Sequence, residues 1–99
     1  MKNSILQTKK ECYFCHTKNN LHKHHILKGV RNRKKSEEDG LFVYLCYNHH
    51  EGTNGVHGKN GHELDLLLIR KAEEQWLCCY NKTIDDFIRR YGKNYLNLV

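Results

Sequence analysis

Apolar positions follow two different patterns along this chain. In the first half they come in short clusters. Leu21 and the Ile26-Leu27 pair bracket one stretch, and Leu41-Phe42-Val43-Tyr44-Leu45 is an unbroken run of β-formers. They predict strands over 21–27 and 41–45 paired as a hairpin, with Lys28–Lys35 a basic loop and Ser36–Gly40 a turn with one helical turn begun by Ser36. Beyond residue 61 the period lengthens. Leu64, Leu68, Ala72, Trp76 and Tyr80 recur every four residues, flanked by Leu67, Ile69 and Cys79. Glu63, Asp65, Lys71, Glu73 and Glu74 fall mostly on the other side, which predicts an amphipathic helix from about His62 to Tyr80. Thr83-Ile84-Asp85-Asp86 reads as the capped start of a second, short helix, with Phe87, Ile88 and Tyr91 as its buried face and Gly92 as its stop. Between the halves, Gly52–Gly55 and Gly58–Gly61 are too rich in glycine for a stable helix. Residues 1–10 are polar and read as a loose arm. With no internal repeat or low-complexity segment, residues 1–99 are expected to form one α+β domain.

Composition narrows what can hold so small a domain together. The chain has 99 residues, 38% of them hydrophobic, no proline and a mean hydropathy of −0.83. A core of this size is marginal, and small domains often add metals or disulfides. The first ten residues lack the apolar segment of a secretory signal, and no apolar run is long enough to span a membrane. Five cysteines, an odd number, then point to a reducing cytoplasm and to metal ligation rather than disulfides. The net charge of +6 is one-sided: residues 1–40 hold ten Lys/Arg against four Asp/Glu, and residues 41–99 hold seven of each. A basic half of this kind is the electrostatic footprint of a polyanion binder.

Chemistry concentrates in the same half. Cys12-x2-Cys15 and, thirty residues later, Cys46-x2-His49 form a two-knuckle pattern. Three thiolates and one imidazole make a closed tetrahedral set whose softness selects zinc over magnesium or calcium. His50 is the rival fourth ligand. Cys78-Cys79 lies on the predicted long helix without a partner knuckle and reads as packing. His16 and His22 read as solvated or outer residues, with His22 a candidate phosphate contact. This leaves His24, His25, His50 and His57 without a role.

At these residues the chain resembles the HNH endonucleases, the ββα-metal or His-Me finger nucleases. In their zinc-stapled branch a Cys-x2-Cys knuckle precedes a strand carrying His-His. A hairpin, a Leu-Cys-x-x-Cys-His segment and a further histidine follow. The corresponding pieces are Cys12-Tyr13-Phe14-Cys15, Leu21-His22-Lys23-His24-His25-Ile26, Leu45-Cys46-Tyr47-Asn48-His49-His50 and Val56-His57. The match covers about residues 11–58, and residues 62–92 resemble the helical tail of small phage-type HNH proteins more loosely. The resemblance implies a zinc-stapled ββα-metal core with a helical C-terminal segment. It assigns His24, His50 and His57 to a catalytic divalent metal (Mg²⁺, Mn²⁺, Ni²⁺ or Zn²⁺) and His25 as general base. Cys12, Cys15, Cys46 and His49 remain the structural Zn²⁺ set. His62 is the substitute for His57, because His50 and His57 lie seven apart across a glycine loop. The asparagine that usually braces the base is absent, and Asn32 or Ser36 are the candidates for that task. Strand alternation sends His24 and His25 to opposite faces, so a bulge or a phosphate at the strand edge is needed for them to act together.

The expected function is hydrolysis of phosphodiester bonds in DNA, with Arg31, Arg33, Lys34 and Lys35 as phosphate contacts. A monomer is expected to nick, and a double-strand break to need a homodimer or a partner protein. No membrane partner is expected, and the resemblance implies the cytoplasm of a host cell. The alternative is a catalytically silent zinc module that binds nucleic acid or protein on a degenerate HNH scaffold.

Overall fold

Residues 3–96 are described by a computed structural model. Its centre is an antiparallel hairpin of β1 (Leu21–His25) and β2 (Phe42–Cys46), with Leu21 opposite Cys46 and His25 opposite Phe42. Helix α1 (Val30–Asp39) connects the strands. The single turn α2 (Tyr47–His50) follows β2 directly, and α3 (His62–Cys79) and α4 (Ile84–Tyr91) complete the chain. The result is a small α+β domain with a two-stranded sheet and four helices among the described residues. None of these helices is long and apolar enough to cross a membrane.

The connection between the strands departs from the expected basic loop and turn: it is a ten-residue helix. Its sequence hides it, because α1 has no apolar stripe and its charges oppose the helix dipole. Basic residues open it and Glu37, Glu38 and Asp39 close it, the reverse of the favourable order. Tertiary contacts decide instead. The Asp39 carboxylate accepts from Trp76 Nε1 at 2.8 Å, Arg90 Nε at 2.5 Å and Tyr91 Oη at 2.6 Å, while Tyr80 Oη donates to the Asp39 carbonyl at 2.7 Å. Ser36 is fully buried, its hydroxyl accepting from the Leu27 N–H, so it lies inside the helix rather than starting one. Gly40 ends α1 at φ 77°, a left-handed conformation that suits glycine, and its N–H returns to the Ser36 carbonyl.

β1 stops at His25, two residues short of the expected strand, although Ile26 and Leu27 are fully buried. β2 runs one residue later than expected, through Cys46. The N-terminal segment is not a loose arm over its described residues. Ser4 Oγ donates to the Phe42 carbonyl, Ile5 N–H to the Gly40 carbonyl, and Gln7 Oε1 accepts from the Tyr44 N–H.

The core joins Ile26, Leu27, Leu41, Val43 and Leu45 to Leu68, Ile69, Ala72 and Trp76 of α3 and to Phe87 and Tyr91 of α4. α3 keeps its expected place, but its buried face is rotated: Asp65, Leu68, Ile69, Ala72, Glu73 and Trp76. Leu67 and Cys79 are exposed rather than part of that face, and Cys78 is exposed too, so the cysteine pair does not pack. The two buried acids each have a partner. Asp65 pairs with Lys28 Nζ at 2.5 Å, and Glu73 Oε1 accepts the Tyr95 N–H at 2.7 Å. α4 begins with the Thr83/Asp86 capping box and buries Phe87 and Tyr91, while Ile88 stands exposed.

Candidate metal centres and the histidine cleft

Cys12, Cys15, Cys46 and His49 converge until their ligand atoms all lie within 4.8 Å of one another. The first knuckle closes through Cys12 N–H to the Thr17 carbonyl and His16 N–H to the Cys12 carbonyl. It docks on β2 through Tyr13 N–H to the Tyr44 carbonyl. Cys46 ends β2, and His49 follows on α2. Cys15 Sγ is 3.7 Å from Cys46 Sγ, and His49 Nδ1 is 3.5 Å from Cys12 Sγ and 3.1 Å from Cys46 Sγ. A zinc tetrahedron with bonds of about 2.3 Å to sulfur and 2.0 Å to nitrogen has edges of about 3.8 and 3.5 Å. Two of the three separations meet those edges, and the donors fit the metal. Burial pushes the Cys12 thiol up, but the backbone N–H groups of Cys15, Cys46 and Phe14 outweigh it and bring it down to about 6, favouring the thiolate. A Cys3His set that could bind a metal such as zinc is therefore assembled in this fold.

The second cluster is His24, His50 and His57, whose ligand nitrogens also lie within 4.8 Å of one another. Their ring centroids are 5.3 Å (His24–His50), 5.2 Å (His24–His57) and 4.6 Å (His50–His57) apart. His57 reaches this place because the glycine loop doubles back. Val56 N–H donates to the His49 carbonyl and His57 N–H to the His50 carbonyl, so seven residues of sequence become one step of space. His62, the substitute, is exposed and outside the cluster.

His24 is 3% exposed, and its Nε2 is buried with no hydrogen-bond partner. Buried polar atoms are normally satisfied, so an unpaired imidazole nitrogen among two others fits a cation in their midst. Desolvation, then the positive ends of His50, His57 and Lys28, hold the His24 imidazole down to about 3, neutral and available as a donor. Desolvation also lowers His50. His22 shares the His24 face of β1, and its Nδ1 lies 2.9 Å from His50 Nδ1, leaving His50 Nε2 as the free ring nitrogen. His16 is exposed and hydrogen-bonded to Glu11.

His25 points to the other face, as alternation requires, yet opens on the same cleft of about 420 Å³. This cleft is lined by the three cluster histidines and by Lys23, Lys28, Gly29 and Arg33. The expected basic contacts separate around α1. Arg33 lines the cleft, Arg31 and Lys34 are exposed, and Lys35 turns away, its Nζ donating to the Arg90 carbonyl at 2.7 Å. Lys23 and Lys28 were not singled out in the sequence, and only their places beside the His-His pair could have flagged them. Neither candidate brace reaches His25. Asn32 Nδ2 donates to the Tyr91 carbonyl and Ser36 serves Leu27. The residue that does reach it is Glu37, with Oε1 2.7 Å from His25 Nε2.

The site thus combines a soft closed donor set, an open histidine trio and a cationic cleft beside a fourth histidine. No family model, curated protein or solved structure matches the chain, so these residues carry the functional reading themselves.

Proposed function

We propose that the chain is a metal-dependent endonuclease of the HNH type, hydrolysing phosphodiester bonds in DNA, with a zinc-stapled ββα-metal core. The observation that carries this reading is the convergence of His24, His50 and His57, one of them buried with an orphaned nitrogen, on a cleft that also holds His25 and three cations. Three protein donors leave positions open for phosphate and water, unlike the closed four-donor set. A divalent cation held by the trio would stabilise negative charge on the phosphoryl and leaving oxygens. Lys23, Lys28 and Arg33 bind and orient the phosphodiester backbone. His25 takes a proton from the water whose oxygen attacks phosphorus, the P–O ester bond breaks, and the leaving oxygen takes a proton from solvent. One such site cuts one strand, so a monomer nicks.

The test is conversion of supercoiled plasmid to the nicked form with Mg²⁺, Mn²⁺, Ni²⁺ or Zn²⁺, with an EDTA control and the His25→Ala variant beside it. Nicking that requires metal and is lost in His25→Ala supports the reading. DNA binding without nicking under any of these metals overturns it in favour of a silent binding module.

A further inference from the structure

We propose that Glu37 is a positioning residue for His25, holding the Nε2 proton from α1 so that Nδ1 is the basic nitrogen presented to the cleft. This rests on the nuclease reading, in which His25 takes the proton from water. Glu37 Oε1 lies 2.7 Å from His25 Nε2. An ionised carboxylate can only accept, so Nε2 must carry the hydrogen, and a neutral imidazole then has its lone pair on Nδ1. Lys23 donates to Glu37 Oε2 at 2.9 Å from the same face of β1, two residues before His25. The hydrogen bonds from Lys23 and His25 keep the Glu37 carboxyl below its usual range. Both its oxygens are therefore committed to β1, and Glu37 belongs to neither metal cluster. Two residues on, Asp39 ties α1 to Trp76, Arg90 and Tyr91, which fixes where Glu37 can stand.

An acceptor that holds a catalytic imidazole in one tautomer acts through the histidine, and its removal lowers the rate of the chemical step. Glu37→Ala should cut the single-turnover rate at saturating DNA about 10- to 100-fold, leaving zinc content unchanged. Glu37→Gln, whose amide oxygen can still accept from Nε2, should recover most of that loss. In a His25→Ala background Glu37→Ala should change nothing further. The second readout needs no activity: the imidazole ¹⁵N shifts of His25 in zinc-loaded protein should report protonated Nε2 and bare Nδ1, and a mixture of tautomers in Glu37→Ala. An unchanged tautomer in Glu37→Ala, a wild-type rate, or an equal loss in both backgrounds overturns the role of Glu37. If the wild type holds the Nε2–H tautomer but cleaves nothing, the nuclease reading fails while the orientation of His25 by Glu37 stands.

Discussion

His49 and His50 are consecutive residues on α2, yet they serve different clusters. His49 Nδ1 meets the thiols of Cys12 and Cys46, and the His50 ring stacks edge-on against His24 and His57. One helical step turns a side chain by about 100°, so a single turn can aim adjacent residues into two sites. Their carbonyls also anchor the Val56 and His57 N–H groups. The Cys3His set is in this way the scaffold on which the histidine trio is presented.

A division of labour between these neighbours follows. His49→Ala, like Cys12→Ser or Cys46→Ser, should lose the tightly held zinc and leave the chain largely unfolded, because structural zinc binding is coupled to folding. His50→Ala and His24→Ala should keep one zinc per chain and a native-like melting transition, losing only the capacity of the histidine trio to take up a second divalent ion. Elemental analysis and circular dichroism on the variants check this. Equal zinc loss in His49→Ala and His50→Ala would contradict it.

The basic residues should separate by their side of α1. Arg33→Ala, at the cleft and in no ion pair among the described residues, should reduce the slope of log K against log salt for duplex binding by about 0.9, the value of one phosphate contact. Lys35→Ala should leave the slope unchanged and lower the melting temperature, since its ammonium is spent on the Arg90 carbonyl. Fluorescence anisotropy titrations from low to moderate salt distinguish the two outcomes.

The glycine loop should tolerate no side chain at its tightest point. A Cβ at Gly61 would lie 1.6 Å from the Gly55 carbonyl oxygen, so the backbone that carries Val56 and His57 must shift. Gly61→Ala should cost about 1–3 kcal/mol, as overpacking does. It should also weaken the second metal while the first is retained. Calorimetric titration of the zinc-loaded variant with Mn²⁺ or Ni²⁺ measures the effect, and wild-type affinity would show that the loop relaxes freely.

Glu73 sets a pH dependence of its own. Desolvation raises its carboxyl above 4.5, against the Tyr95 and Leu96 N–H groups that lower it, and Oε2 has no partner among the described residues. Between 4.5 and the raised folded value, the folded state binds more protons than the unfolded one. This contribution is fully present below 4.5 and is lost as pH rises through the folded value. Glu73→Gln keeps an acceptor for Tyr95 and removes the charge, so its melting temperature should respond less to pH than that of the wild type above 4.5. Parallel thermal melts at several pH values test this, and identical profiles would refute it.

Much of the candidate site was legible because its signals are local. Two x2 spacings, a His-His pair and an apolar run before Cys46 each need only a few neighbouring residues. The α3 period and the Thr83 cap are local too, and both helices stand where the pattern puts them. What lies buried on α3 was less legible. Asp65 and Glu73 read as solvent-facing charges until Lys28 and the Tyr95 N–H are brought against them, and those partners are 37 and 22 residues away in sequence.

The sequence by itself determined the donor types, their grouping into knuckles and the hairpin that returns Cys46 to Cys15, since all of these rest on residue chemistry and short-range periodicity. Only the tertiary structure decided that residues 30–39 are a helix, because its own charges oppose the dipole and its anchors, Trp76, Arg90 and Tyr91, come from the far end of the chain. That same long-range anchoring sets Glu37 against His25, and the backbone bonds of the glycine loop set His57 against His50. The resemblance had already grouped His57 with His50, whereas the Glu37–His25 contact has no local pattern to announce it, since it depends on where separately folded pieces come to rest against one another.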